Sequence, residues 1–306
     1  MAKNGLIFKD AELVRDSITK SQKARIAKLY EDWANEIGKK AEFYRRSSNG
    51  SSYIAEMQMK DLKKQLQSAS KQVSQEIYGI VKENMYVVSD SVVKSNSLWL
   101  SSLGFDKKTL DVAFSSVPDS VVRSITTGQV YDSGWSLSQR IWGNNQQQLQ
   151  NIYDIVGKGV AQNSPIYDIA KNLEAYVKPD VKKPWNLTAK DGVKIFKRQV
   201  DYNAQRLART LVQHSYQQSF VAVTKNNPFV IDYIWHANGS RACPLCTDRD
   251  GVHFKKDDLP LDHPNGMCTM EANISEDMIN QLADWFNSPD GTYPEIDSFA
   301  KNFGYW

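Results

Sequence analysis

The chain has no apolar run of about 18 residues, so no transmembrane helix is expected. It has three cysteines in 306 residues, an odd number and too few for a disulfide scaffold. Its opening stretch, MAKNGLIFKDAELVRD, turns polar after Phe8 and is too charged for a signal peptide. The cysteines are therefore expected to be reduced, and the sequons at Asn49, Asn186, Asn238 and Asn273 to be accidental. There is no G-x-x-x-x-G-K-S/T phosphate loop, no G-x-G-x-x-G turn and no G-x-S-x-G elbow. Serine, histidine and aspartate are all present, but no spacing groups them into a triad. No repeat with a period of about 20–50 residues is visible.

What is present suffices for a folded body. Apolar residues make up 41% and charged residues 24%, which excludes wholesale disorder. The net charge of +3 is unevenly spread. Residues 1–250 hold 35 Lys/Arg against 25 Asp/Glu, and residues 251–306 hold 3 against 10. A basic body can neutralise nucleic-acid phosphates and an acidic end can meet basic protein. The plainer alternative is two solvated surfaces of opposite sign.

Most of the first 226 residues carry helical periodicity. Ile26, Leu29, Tyr30, Trp33 and Ile37 fall on one helix face. A polar break, Ser47-Ser48-Asn49-Gly50-Ser51-Ser52, precedes a second stripe of Leu62, Leu66, Ala69, Val73, Ile77 and Ile80. This pattern predicts a long helical hairpin, with a partner-binding coiled coil as the alternative. Gly104, Pro118, Gly128 and Gly134 limit 96–135 to shorter helices. Ser136 with Gln139 makes a capping box that opens a helix through Ile141, Leu149, Ile152 and Ile155. Ser164-Pro165 starts another helix. Residues 178–187, with two prolines and three lysines, form the best linker. Thr188 with Asp191 is a second capping box, followed by Val193, Phe196, Val200, Leu207 and Leu211. His214 continues that stripe and reads as a hydrogen-bonded core residue rather than a ligand. After Asn226-Asn227-Pro228 the period changes, and 229–235 reads as a strand. A final helix is expected over Ser275–Phe286, then a tail.

All three cysteines lie within 26 residues: Cys243-Pro-Leu-Cys246, then Cys268, with His263 between them. The spacing C-x2-C-x16-H-x4-C supplies four soft or borderline donors, as a tetrahedral zinc ion requires. Four protein ligands leave no open position, so such a metal is structural and stabilises a small loop-rich segment. The alternatives are three reduced cysteines without metal, or a metal whose fourth ligand is His236 or His253. A zinc deaminase needs His-x-Glu, but Asn238 stands at the Glu position of His236-Ala-Asn238. Cys243-Pro-Leu-Cys246 followed by Asp262-His263 also looks like the start of an HNH nuclease with His263 as general base. No histidine follows His263 to complete that motif.

Several of these residues occur together in order: Arg206-Leu-Ala-Arg209-Thr210, a strand ending at Trp235, Ser240-Arg241-Ala-Cys243-Pro-Leu-Cys246, Asp250-Gly251, Phe254 and His263-Pro-Asn265. This series resembles the C-terminal domain of the phage Mu F-like minor head proteins, the head morphogenesis proteins of tailed phages. The resemblance spans 190–272. Leu137-Ser-Gln-Arg140-Ile-Trp142 and Ile169-Ala-Lys-Asn-Leu173 extend it more loosely over 130–190. The family carries a Cys directly after His-Pro-Asn and another two residues later; here Gly266 takes the first place and Cys268 the second.

The resemblance implies a minor capsid protein inside the virion or at the portal vertex, present in host cytoplasm during assembly. Its implied partners are the portal or major capsid protein and packaged double-stranded DNA bound non-specifically, with no membrane in the assembly state. It implies no enzyme. Some relatives carry a toxin domain after this module, but only about 34 residues follow Ala272 here, so none is expected. For DNA contacts the candidates are Lys178, Lys182, Lys183, Lys190, Lys194, Lys197 and Arg198.

The fold expected is mainly α: a helical hairpin and body over 1–177, a linker over 178–189, a zinc-stabilised α+β module over 190–274, and a helix with an acidic tail over 275–306.

Overall fold

The computed structural model describes residues 7–47, 52–161, 164–177, 202–239, 242–287 and 291–303. Among the described residues the chain is mainly helical, with one small antiparallel sheet near its C-terminal end. The expected hairpin helices are α1 (Lys9–Ser47) and α2 (Ser52–Ser102). Shorter helices follow: α3 (Lys107–Ala113), α4 (Val117–Thr127), α5 (Leu137–Ala161), α6 (Ile166–Val177) and α7 (Tyr202–Thr224). The remaining elements are β1 (Val230–His236), α8 (Pro244–Arg249), β2 (His253–Phe254), β3 (Thr269–Ile274), α9 (Glu276–Asn287) and α10 (Pro294–Asn302).

Local chemistry explains several boundaries. Asp106 caps α3, its carboxylate accepting from Thr109 N at 2.8 Å. Gly128 ends α4 at φ 89°, a left-handed cap that a residue with a Cβ adopts only at a cost. The capping box at α5 is formed: Ser136 N donates to Gln139 Oε1 at 2.8 Å, and Gln139 N donates to Ser136 Oγ at 3.2 Å.

The chain divides into two compact units. One holds residues 20–81 and 135–208, the other 1–19, 82–134 and 209–306. α1, α2 and α7 each contribute to both. α1 and α2, of 39 and 51 residues, are long enough to run through both. The 178–189 linker and the Thr188–Asp191 capping box lie outside the described residues.

In the unit holding 20–81 and 135–208, Ile26, Tyr30, Trp33 and Ile37 of α1 and Leu62, Leu66, Val73 and Ile77 of α2 are buried, as the two stripes predict. Asp61 ties the hairpin, accepting from Lys40 Nζ at 3.2 Å and Tyr44 OH at 3.1 Å. Gly159 lets α5 and α6 approach closely, since a Cβ there would stand 2.4 Å from Ile169.

In the mixed unit the second half of α2 lies along α7. Ser215 Oγ donates to Met85 O at 2.8 Å, and Ser219 Oγ to Ser89 Oγ at 2.7 Å. The sheet has the order β2-β1-β3, and Tyr233 of β1 stands opposite Phe254 and Ala272. The 229–235 strand is thus present, shifted by one residue, and two further strands accompany it. β2 has only two residues, too few for a periodic signal.

The end of the chain differs from the expected tail. α10 buries Ile296, Phe299 and Ala300, and Phe299 packs edge-on against Phe105 and Phe229. Trp285 of α9 donates to Asp297 of α10 at 2.7 Å. One helical turn of apolar residues suffices to seat this helix, and the acidic composition around it hides that turn in the sequence.

Candidate metal centre

α8 begins inside the Cys-Pro-Leu-Cys motif. Cys243 is its N-cap and Pro244 its first residue, a position where proline's missing N–H costs nothing. One turn later Cys246 points inward and is 1% exposed. The partner segment is the loop 260–268, which returns through Asn265 at φ 69°, a left-handed conformation that asparagine tolerates better than most residues.

The structure brings the four sequence-predicted ligands into one cluster. Donor atoms of Cys243, Cys246 and His263 lie within 4.8 Å of one another. Cys246 belongs also to a second group of that size, with Cys268 and Asp262. Cys246 is thus the centre of the cluster. Among the described residues no other such group occurs. His236 and His253, the alternative fourth ligands, sit on the sheet, bonded to Glu271 at 2.8 Å and Asp232 at 3.0 Å.

The imidazole of His263 is set as a metal ligand requires. Its Nδ1 lies 3.0 Å from Pro264 O, and a carbonyl only accepts, so Nδ1 carries the proton. Nε2 then presents a lone pair to Cys243 Sγ, 3.2 Å away. A ligating histidine usually fixes its tautomer by such a bond to a carbonyl. The thiols differ in acidity. A hydrogen bond from the Cys246 backbone holds the Cys243 thiol below the ordinary cysteine range. Burial, with help from Cys268 and Cys243, pushes the Cys246 thiol up. Soft thiol sulfurs and a borderline nitrogen at these separations fit a thiophilic metal ion.

Sequence reasoning did not find the groups that hold this loop. Asp262 is 2% exposed. Its carboxylate accepts from His263 N at 2.8 Å, Cys268 N at 3.1 Å and Gln213 Nε2 at 3.1 Å. Its backbone is clamped as well: Asp262 N donates to Gln217 Oε1 at 2.9 Å, and His214 Nε2 donates to Asp262 O at 2.9 Å. His214 Nδ1 accordingly accepts from Tyr131 OH at 3.0 Å, so His214 is the hydrogen-bonded core residue the stripe suggests. Thr210 Oγ1 accepts from Asn265 N at 2.8 Å. Thr210, Gln213, His214 and Gln217 stand at i, i+3, i+4 and i+7 of α7, one polar face beside its apolar one. That spacing was the available signal. Gly266 belongs to the same arrangement: a Cβ there would lie 2.2 Å from both Asp262 carboxylate oxygens. In this chain the Asp262 carboxylate fills the room that a cysteine at 266 would need.

The DNA candidates Lys178, Lys182, Lys183, Lys190, Lys194, Lys197 and Arg198 lie outside the described residues. No described helix is long and apolar enough to cross a membrane. The chain matches no family model, no curated protein and no solved structure.

Proposed function

We propose that this chain is a minor structural protein of a tailed-phage head whose C-terminal module is held by one structural zinc ion on Cys243, Cys246, His263 and Cys268. The head-protein part rests on the ordered residues from Arg206 to Asn265 that resemble the Mu F-like module. In that role it contacts the portal or capsid protein and packaged DNA. One observation carries the non-catalytic reading of the cluster. The one basic nitrogen of His263, Nε2, faces Cys243 Sγ at 3.2 Å within the thiol cluster, where a metal ligand would sit, while Pro264 O holds Nδ1.

The nuclease alternative needs His263 free and a substrate at its side. The two readings part under mutation. Protein purified without added metal is expected to hold close to one zinc per chain by elemental analysis. Cys243→Ser removes a ligand from a site that contributes about 10 kcal/mol or more in zinc peptides, so it should open 242–274 to protease and lower incorporation into particles. Limited proteolysis and particle incorporation of Cys243→Ser and His263→Ala, run side by side, check this. Variants that fold and incorporate normally while a Mg2+-dependent DNA cleavage disappears would establish the nuclease instead.

A further inference from the structure

A buried cation stands behind the ligand loop. Arg15, in the second turn of α1, is 3% exposed, and its guanidinium lies 4.8 Å from the centre of the Tyr216 ring. Its Nη1 donates to Gln213 Oε1 at 3.0 Å and to the carbonyl of Cys268 at 3.1 Å. Gln213 passes the contact on: its Nε2 donates to Cys268 O at 2.6 Å and to Asp262 Oδ2 at 3.1 Å. The order of these bonds is fixed by charge. With its amide oxygen on the guanidinium, Gln213 must turn its N–H groups to the carboxylate and the carbonyl. Without the cation the amide can flip and set its oxygen against two acceptors.

We propose that Arg15 is a positioning residue for the metal site: through Gln213 and the Cys268 carbonyl it fixes the ligand loop, so that loading of a thiophilic divalent cation and docking of the first turns of α1 stabilise each other. The inference rests on the metal-binding reading of the cluster. Asp16 pairs the other edge of the guanidinium, its Oδ1 accepting from Arg15 Nη2 at 2.9 Å and Nε at 3.1 Å, so Arg15 acts on the loop through the two acceptors that Nη1 holds, Gln213 Oε1 and Cys268 O. Linkage makes the effect mutual: whatever Arg15 adds to metal affinity, the metal returns to the seating of α1.

The test uses the full chain and zinc or cobalt(II) as the probe. Arg15→Met keeps much of the apolar stem and removes the donors. It should lower zinc affinity, measured against a competing chelator, by about 10–100-fold, the usual effect of losing a group that orients a ligand. Arg15→Lys restores a cationic donor and should recover part of that loss. Leu13→Ala, at an exposed position of the same helix, should change nothing. In the cobalt-loaded Arg15→Met protein the thiolate-to-cobalt absorption should weaken as the Cys268 backbone loosens. In the unaltered chain, chelation should speed amide exchange over residues 9–19, a measurement that needs no variant to fold. Arg15→Met binding zinc as tightly as the unaltered chain, or exchange over 9–19 indifferent to chelation, overturns the inference and leaves the metal reading standing. An unaltered chain that takes up no zinc overturns both.

Discussion

Gly266 and Asp262 behave as one unit at the residue scale. The carboxylate is buried, receives three hydrogen bonds and occupies the space where a side chain at 266 would begin. Gly266→Ala must displace it, and overpacking of this kind costs about 1–3 kcal/mol. We expect a lower urea midpoint with an unchanged slope, and earlier zinc loss to a chelator. Wild-type stability in Gly266→Ala would mean that the carboxylate can move at little cost. The sequence showed Gly266 only as a departure from the resembling pattern. The reason for the glycine lies in a carboxylate four positions earlier that folds back onto it, a contact no spacing rule encodes.

α7 carries two messages along one helix. Its apolar side, with Val212, Tyr216, Phe220 and Val223, enters the core of the mixed unit. Its polar side, Thr210, Gln213, His214 and Gln217, hydrogen-bonds the segment from Pro260 to Cys268. Gln217→Leu keeps the volume but leaves Asp262 N and Pro260 O without this partner, and an unsatisfied buried group costs about 1–3 kcal/mol each. The expected outcome is faster amide exchange over 260–268 with unchanged helical circular dichroism. Equal exchange in variant and parent would show that the loop is held by its ligands alone. The stripe read in the sequence ran through Leu207 and Leu211 to His214, so it missed the core-facing side of Val212, Phe220 and Val223. The polar side was not read, because the loop it serves lies about fifty residues later.

At the scale of the whole molecule, charge separates along the chain into a basic 1–250 and an acidic 251–306. No base-reading motif accompanies the basic part, so any DNA binding should proceed through phosphates. Affinity for unrelated duplexes should then be similar and should fall steeply as salt rises, a gel-shift series at several salt concentrations being the check. Neutralising Lys178, Lys182 and Lys183 together should flatten that slope by about 0.9 per lost phosphate contact. Tight, salt-insensitive binding to one duplex would contradict this. The two compact units also belong to this scale. Each is assembled from separated stretches, which a boundary search along the chain cannot see.

The sequence by itself determined the helical hairpin, the α5 capping box, strand β1 and the identity of the four candidate ligands. Each of these depends on short-range periodicity or on donor types that few other positions can supply. Only the tertiary structure decided that Cys246 centres the cluster, that His236 and His253 stand outside it, and that α10 is part of the core. It alone placed Arg15 against Cys268, 253 positions away. Such contacts come from burying a charge and a carboxylate behind one loop, and burial is a property of the folded packing rather than of any window of sequence.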